Sequence, residues 1–117
     1  TAPPAPRRRA ADRPLAARVR DELHARHLDD LDMEDLARAA GHSRFAVYRA
    51  FRAAYGMAPS DYQRQLRLRA ARDLLATGWN PAAAAAATGF VDQAHLTRWF
   101  VRCFGLTPGV FARSSTA

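Results

Sequence analysis

The sequence predicts an all-α fold of about seven helices, arranged as two similar helical units joined by one long helix. Three observations predict it. Residues 43–62, SRFAVYRAFRAAYGMAPSDY, recur 49 positions later as DQAHLTRWFVRCFGLTPGVF. Arg49, Phe51, Gly56 and Pro59 match Arg98, Phe100, Gly105 and Pro108, and Val47, Tyr55, Met57 and Tyr62 match Leu96, Phe104, Leu106 and Phe111 in character. Apolar residues keep a helical period from Pro14 onward, and no alternating strand pattern interrupts it.

The elements follow in order. Residues 1–13 are rich in Pro and Arg and read as a flexible linker. The first unit, about 14–56, opens with a helix over about Pro14 to Leu28, on which Leu15, Val19 and Leu23 share a face. Asp32 is placed to cap the second helix, whose apolar positions are Met33, Leu36, Ala37 and Ala40, and Gly41 ends it. Ser43 caps the third, which runs to about Tyr55 and is closed by Gly56. Pro59 opens a long fourth helix to about Thr77, with Tyr62, Leu66, Ala70 and Leu74 as its apolar stripe.

The second unit, about 80–113, repeats this plan. Asn80-Pro81 starts a fifth helix whose body is six alanines, and Gly89 ends it. Alanine has the best helix propensity but buries little area, so this helix is expected to fray more easily than its counterpart. Asp92 caps a sixth helix that runs to about Phe104. Pro108 opens a short last turn, and 114–117 form a tail.

Composition narrows the function classes. A chain of 117 residues holds one compact domain or two very small ones sharing a core. Net charge is +7, and all 18 basic residues are arginine. A basic surface of this kind suits a polyanion, although all-Arg usage also fits a GC-rich coding bias. The single Cys103 excludes an internal disulfide and fits a reducing, cytoplasmic setting. No apolar run approaches the roughly 18 residues of a membrane span. Thr1 in place of Met is consistent with a piece of a longer protein.

Each repeat is a short helix, a Gly-containing turn and a longer helix, the helix-turn-helix layout whose second helix enters the major groove. At ~100° per residue, Val47, Ala50, Phe51 and Ala54 of the third helix share an inner face. Phe45, Ala46, Arg49 and Arg52 point away, flanked by Arg44 and Tyr48. In the sixth helix Leu96, Phe100, Cys103 and Phe104 face inward, with Trp99 on the inner flank. Ala94, His95, Arg98 and Arg102 face outward, beside Gln93 and Thr97. Arg pairs bidentately with guanine and Gln with adenine, and Phe45 or Ala94 can meet a thymine methyl. Ser43 and Asp92 at the two helix N-termini, together with Arg44, Arg52, Thr97 and Arg102, are expected at phosphates.

From 15 to 113 the chain resembles the DNA-binding domain of the AraC/XylS transcriptional regulators. The residues that carry the resemblance are EDLARAAGHSRFAVYRAFRAAYGMAPSDYQRQLRLRAARDLL and GFVDQAHLTRWFVRCFGLTPGVFAR. The resemblance implies a bacterial, sequence-specific regulator, most often an activator, that contacts promoter DNA and RNA polymerase. It places base-reading positions on Phe45, Tyr48 and Arg49, and on Ala94, His95 and Arg98. A small-molecule effector would act through a separate N-terminal domain. The chain is then the DNA-binding part of a longer regulator, monomeric by itself, or a stand-alone regulator. Two features depart from the family pattern. The fifth helix lacks the larger apolar and acidic residues common there, and Ala94 offers no hydrogen bond. Both point to weaker base discrimination by the second unit.

Other classes fit less well. His24 and His27, near Asp21, Glu22, Asp29 and Asp30, resemble a metal pair, but no further ligand is evident and a solvated helix face explains them. Cys103 on an inner face reads as a structural thiol rather than a nucleophile. There is no Gly-rich phosphate loop and no Ser/His/Asp arrangement, so no enzyme, cofactor or metal is expected. Non-specific architectural binding is the remaining alternative.

Overall fold

A computed structural model describes residues 14–29 and 32–115; the segment 1–13, read above as a linker, lies outside them. Among the described residues there are seven helices and no strand. They are α1 (Leu15–Arg26), α2 (Met33–Ala40), α3 (Arg44–Tyr55), α4 (Pro59–Ala76), α5 (Pro81–Ala87), α6 (Gln93–Phe104) and α7 (Pro108–Ser115).

Local chemistry sets the helix starts. Asp32, Ser43, Asn80 and Asp92 each accept a hydrogen bond from the backbone N–H three residues on, satisfying a donor that the first turn leaves unpaired. For Asp32 this bond from Asp35 is the main reason its carboxyl titrates below its ordinary value. A depressed folded-state pKa contributes stability that is present above the unfolded value, about 3.9, and lost as pH falls through the folded one. Asp32→Ala is therefore expected to melt below the parent at pH 7, with the gap narrowing as pH falls below about 4. A gap that stays constant from pH 7 to 3 would show that the carboxylate is not its source.

Packing forms two cores that meet along α4. The first gathers Val19, Leu23, Leu36, Ala37, Val47, Phe51 and Leu66. The second gathers Leu68, Ala71, Leu75, Ala84, Ala85, Phe90, Leu96 and Phe100. At ~100° per residue, Leu66 lies nearly opposite Ala71 and Leu75 on the helix. The expected stripe of Tyr62, Leu66, Ala70 and Leu74 is thus corrected: only Leu66 of the four is fully buried. A helix that serves two cores on opposite sides does not show one stripe.

The C-terminal half of α4 is also the first helix of the second unit. Leu68, Ala71 and Leu75 repeat the spacing of Ala16, Val19 and Leu23 in α1, 52 positions earlier. The duplication therefore covers all three helices of each unit. In α5, Ala84 stands where α2 has Leu36, and the buried Phe90 from the following turn fills the space. Tyr62 seals the α1–α4 seam of the first unit. Its hydroxyl accepts from Arg20 Nε at 3.2 Å and lies 2.6 Å from His24 Nε2.

Two further expectations are corrected. Pro108 opens the seventh helix expected of the fold, but α7 is longer than a short turn and extends to Ser115, with Phe111 and Ala112 packed against the second core. Cys103 is exposed, not inward: Phe104 is covered beside Phe111, whereas none of the described residues covers the Cys103 side of the last turn of α6. Ala54, at the equivalent end of α3, is likewise exposed.

Candidate nucleic-acid interface

The outward faces of α3 and α6 collect the residues singled out in the sequence. On α3, Val47 and Phe51 anchor the helix in the first core, and this turns Arg44, Phe45, Tyr48, Arg49 and Arg52 to solvent. Phe45 is 67% exposed and Tyr48 43%, unusual for large aromatic rings. The Arg49 guanidinium stacks 5.3 Å from the Phe45 ring. That contact holds Arg49 over the same face while leaving its donors available. Arg44 meets Glu34 of α2 at 3.4 Å, with both side chains mostly exposed, so the pair is weak and easily exchanged for a phosphate.

On α6, Leu96 and Phe100 point into the second core. Gln93, Ala94 and Arg98 are exposed, and Thr97 is half-buried. His95 is only half-buried as well, and its geometry is defined. Its Nδ1 accepts from the Val91 N–H at 3.3 Å, and its ring packs edge-on to Phe90 at 5.3 Å. An accepting Nδ1 leaves the proton of the neutral ring on Nε2, so the free edge of His95 is a donor. Arg102 lies 5.0 Å from the Trp99 ring, and Arg64 of α4 lies 3.6 Å from the same ring.

Charge separates the faces. The chain has 11 acidic residues, yet neither α3 nor α6 contains one, while together they carry five arginines. Arg49, Arg52 and Arg98 form no ion pair among the described residues, so their charge faces solvent uncompensated. Asp92 sits at the N-terminus of α6, where its carboxylate accepts from the His95 N–H at 2.8 Å. At that end any contact with an anion falls to backbone N–H groups rather than to the acid. Ser43 caps α3 through its oxygen and keeps its hydroxyl hydrogen for a second partner.

The histidine pair near α1 is organised differently. His24 Nε2 is engaged by Tyr62, and His27 Nδ1 donates to the His24 carbonyl at 3.0 Å. Each of these ring nitrogens is thus already engaged within the fold. Sequence reading missed Arg67, whose guanidinium reaches three backbone carbonyls. A carbonyl partner has no sequence signature, so only the fold reveals it.

Comparison with known proteins agrees with this geometry. A helix-turn-helix domain family model matches residues 36–114, about two thirds of the chain. The chain is 36% identical over 88 residues to the transcriptional activator NphR of a Rhodococcus species, covering 74% of this chain and 26% of that protein. It spans between 26% and 37% of the length of the curated relatives it matches. Among solved structures it is similar to an AraC-type transcriptional regulator from Chromobacterium violaceum, with TM-score 0.80 and 28% identity over 92% of this chain and 96% of that one. It is also similar to the DNA-binding domain of AdpA, a global transcriptional factor solved with a target DNA, with TM-score 0.75 and 31% identity over 86% and 91% of the two chains. With seven helices among the described residues, two helix-turn-helix units and an acid-free, arginine-bearing second helix in each, the chain belongs to the AraC family of helix-turn-helix transcriptional regulators, as one of its DNA-binding domains.

Proposed function

We propose that the chain is a sequence-specific reader of double-stranded promoter DNA that places α3 and α6 in successive major grooves. The observation that carries this is the pairing of two equivalent scaffolds with different outward side chains. Phe45, Tyr48 and Arg49 face outward from one, and Gln93, Ala94, His95 and Arg98 from the other. Arg49 and Arg98 are the bidentate readers, and His95 presents a donor suited to an acceptor such as guanine O6 or N7. Ser43, Arg44, Arg52, Thr97, Arg102 and the backbone at Asp92 hold phosphates.

Dimensions support two grooves. The 18 residues of α4 span roughly 27 Å at ~1.5 Å each. The molecule is 58 Å along its longest axis, against about 34 Å for one turn of DNA. Separation short of a full turn would favour bent DNA.

In the whole regulator, two-unit binding of this kind would recruit RNA polymerase, and an effector would act through a further domain. Activation is supported by likeness to an activator. The domain limits are about 14–56 and 80–113, with α4 between and shared.

Selection of bound sequences from random DNA tests the reading. Two unlike half-sites about one helical turn apart are expected, the first better defined, with preference over random DNA of about 10³ or more. Recovery of no consensus would leave only architectural binding. Arg102→Ala should weaken all sequences alike and reduce the salt slope by about one.

A further inference from the structure

Arg67 sits midway along α4 and joins the two units. Its Nε donates to the His27 carbonyl at 2.5 Å and Nη2 to the Asp29 carbonyl at 2.8 Å; Nη1 donates to the Gly89 carbonyl at 3.3 Å. His27 and Asp29 lie at the end of α1, in the first unit. Gly89 is in the helix-turn-helix turn of the second. One planar group therefore spans from the closing turn of one unit to the reading turn of the other. Arginine suits this, since its fork carries five donors in fixed directions, whereas lysine offers a single point. The carbonyls at the end of α1 lack helical partners and carry partial negative charge, which the guanidinium answers.

Gly89 supports the same contact from the other side. Its φ is +84°, and a Cβ there would lie 2.8 Å from Arg67 Cζ and 2.9 Å from Nε. The left-handed φ favours glycine, and a Cβ would push the Arg67 guanidinium away from its carbonyls. One turn earlier on α4, Arg64 stacks on Trp99 of the second reading helix at 3.6 Å.

The axial distance between the units is set by α4. It does not by itself prevent the two halves, each loaded by a core on an opposite side, from rocking about its midpoint. We propose that Arg67 is a positioning residue that fixes the angle between the two reading helices, and so the spacing between half-sites that the protein accepts. The proposal rests on the two-groove reading above. Holding both heads in register in advance is what lets the second bind as an intramolecular event.

Two measurements on Arg67→Met test it. The first needs no DNA: residual dipolar couplings report whether both units share one alignment frame. One frame is expected for the parent and two for the variant. The second measures binding to selected sites at their native spacing, with one or two base pairs inserted, and to the first half-site alone. The variant should lose about tenfold at native spacing and show a flattened spacing profile, while staying within about twofold on the single half-site. A variant with one frame and the parent's spacing profile overturns the proposal. Should Arg67→Met not fold, Arg67→Lys, which keeps the stem and charge without the fork, takes the same comparison. A parent without spacing preference would count against the two-groove reading, and the alignment frames would still decide the clamp.

Discussion

Phe51→Ala is expected to cost about 3–5 kcal/mol of folding stability, and Phe100→Ala a similar amount. Both rings are fully buried. Each is the centre of an edge-to-face aromatic trio, and the trios are copies. Phe51 meets Tyr55 at 4.7 Å and Tyr62 at 5.5 Å; Phe100 meets Phe104 at 4.6 Å and Phe111 at 5.7 Å. Domains of this size have about 5–15 kcal/mol in total, so either change consumes a large share of it. The melting temperature should fall by more than about 12 °C. A further readout is built into the sequence. Trp79 and Trp99, the two tryptophans, both belong to the second unit, so their fluorescence reports that unit while circular dichroism reports both. Because α4 is a wall of both cores, the two signals should shift together in Phe51→Ala. A fluorescence transition left at the parent's midpoint would show that the units fold independently.

That coupling explains which parts of the fold were legible in the sequence. Helix starts were legible because caps are local: Asp32, Ser43, Asn80 and Asp92 bond within their own first turns. Helix ends were legible where Gly41, Gly56 and Gly105 take a left-handed φ. The inner faces of α3 and α6 followed from periodicity, since each packs against one core. The buried faces of α4 did not, since its two halves pack on opposite sides. The match between α1 and the second half of α4 was hidden by unequal connections, which shift the offset from 52 at Leu23 and Leu75 to 48 at Leu36 and Ala84, then 49 at Phe51 and Phe100. Cys103 was misplaced because periodicity gives direction but not coverage, and among the described residues no element covers that side of α6. The outward residues were legible as types and positions. Their preparation was not: the Phe45 prop under Arg49 and the donor edge of His95 depend on rotamers and on a turn N–H.

Arg49→Ala should lower affinity for the preferred sequence by about 1–3 kcal/mol, or roughly 5- to 150-fold, and leave random DNA almost unaffected. Location and chemistry argue for the asymmetry. Arg49 is exposed on an acid-free helix, stacked on Phe45 and without an ion pair among the described residues, so the parent loses little when it engages a base. In the proposed complex its loss would remove two hydrogen bonds to one base pair and leave the phosphate contacts proposed for Arg44 and Arg52 in place. The selected sequence should become degenerate at one position of the first half-site. Phe45→Ala should give a weaker version of the same change, since Arg49 remains but loses its support. His95→Ala should degrade one position of the second half-site that otherwise favours a base acceptor. These outcomes separate reading from mere attraction. A charge that only attracts would weaken every sequence equally and change the salt slope, whereas a reader changes which sequence is preferred. Unchanged selected sequences and affinities in Arg49→Ala would remove α3 from the reading role, whatever the charge of its face.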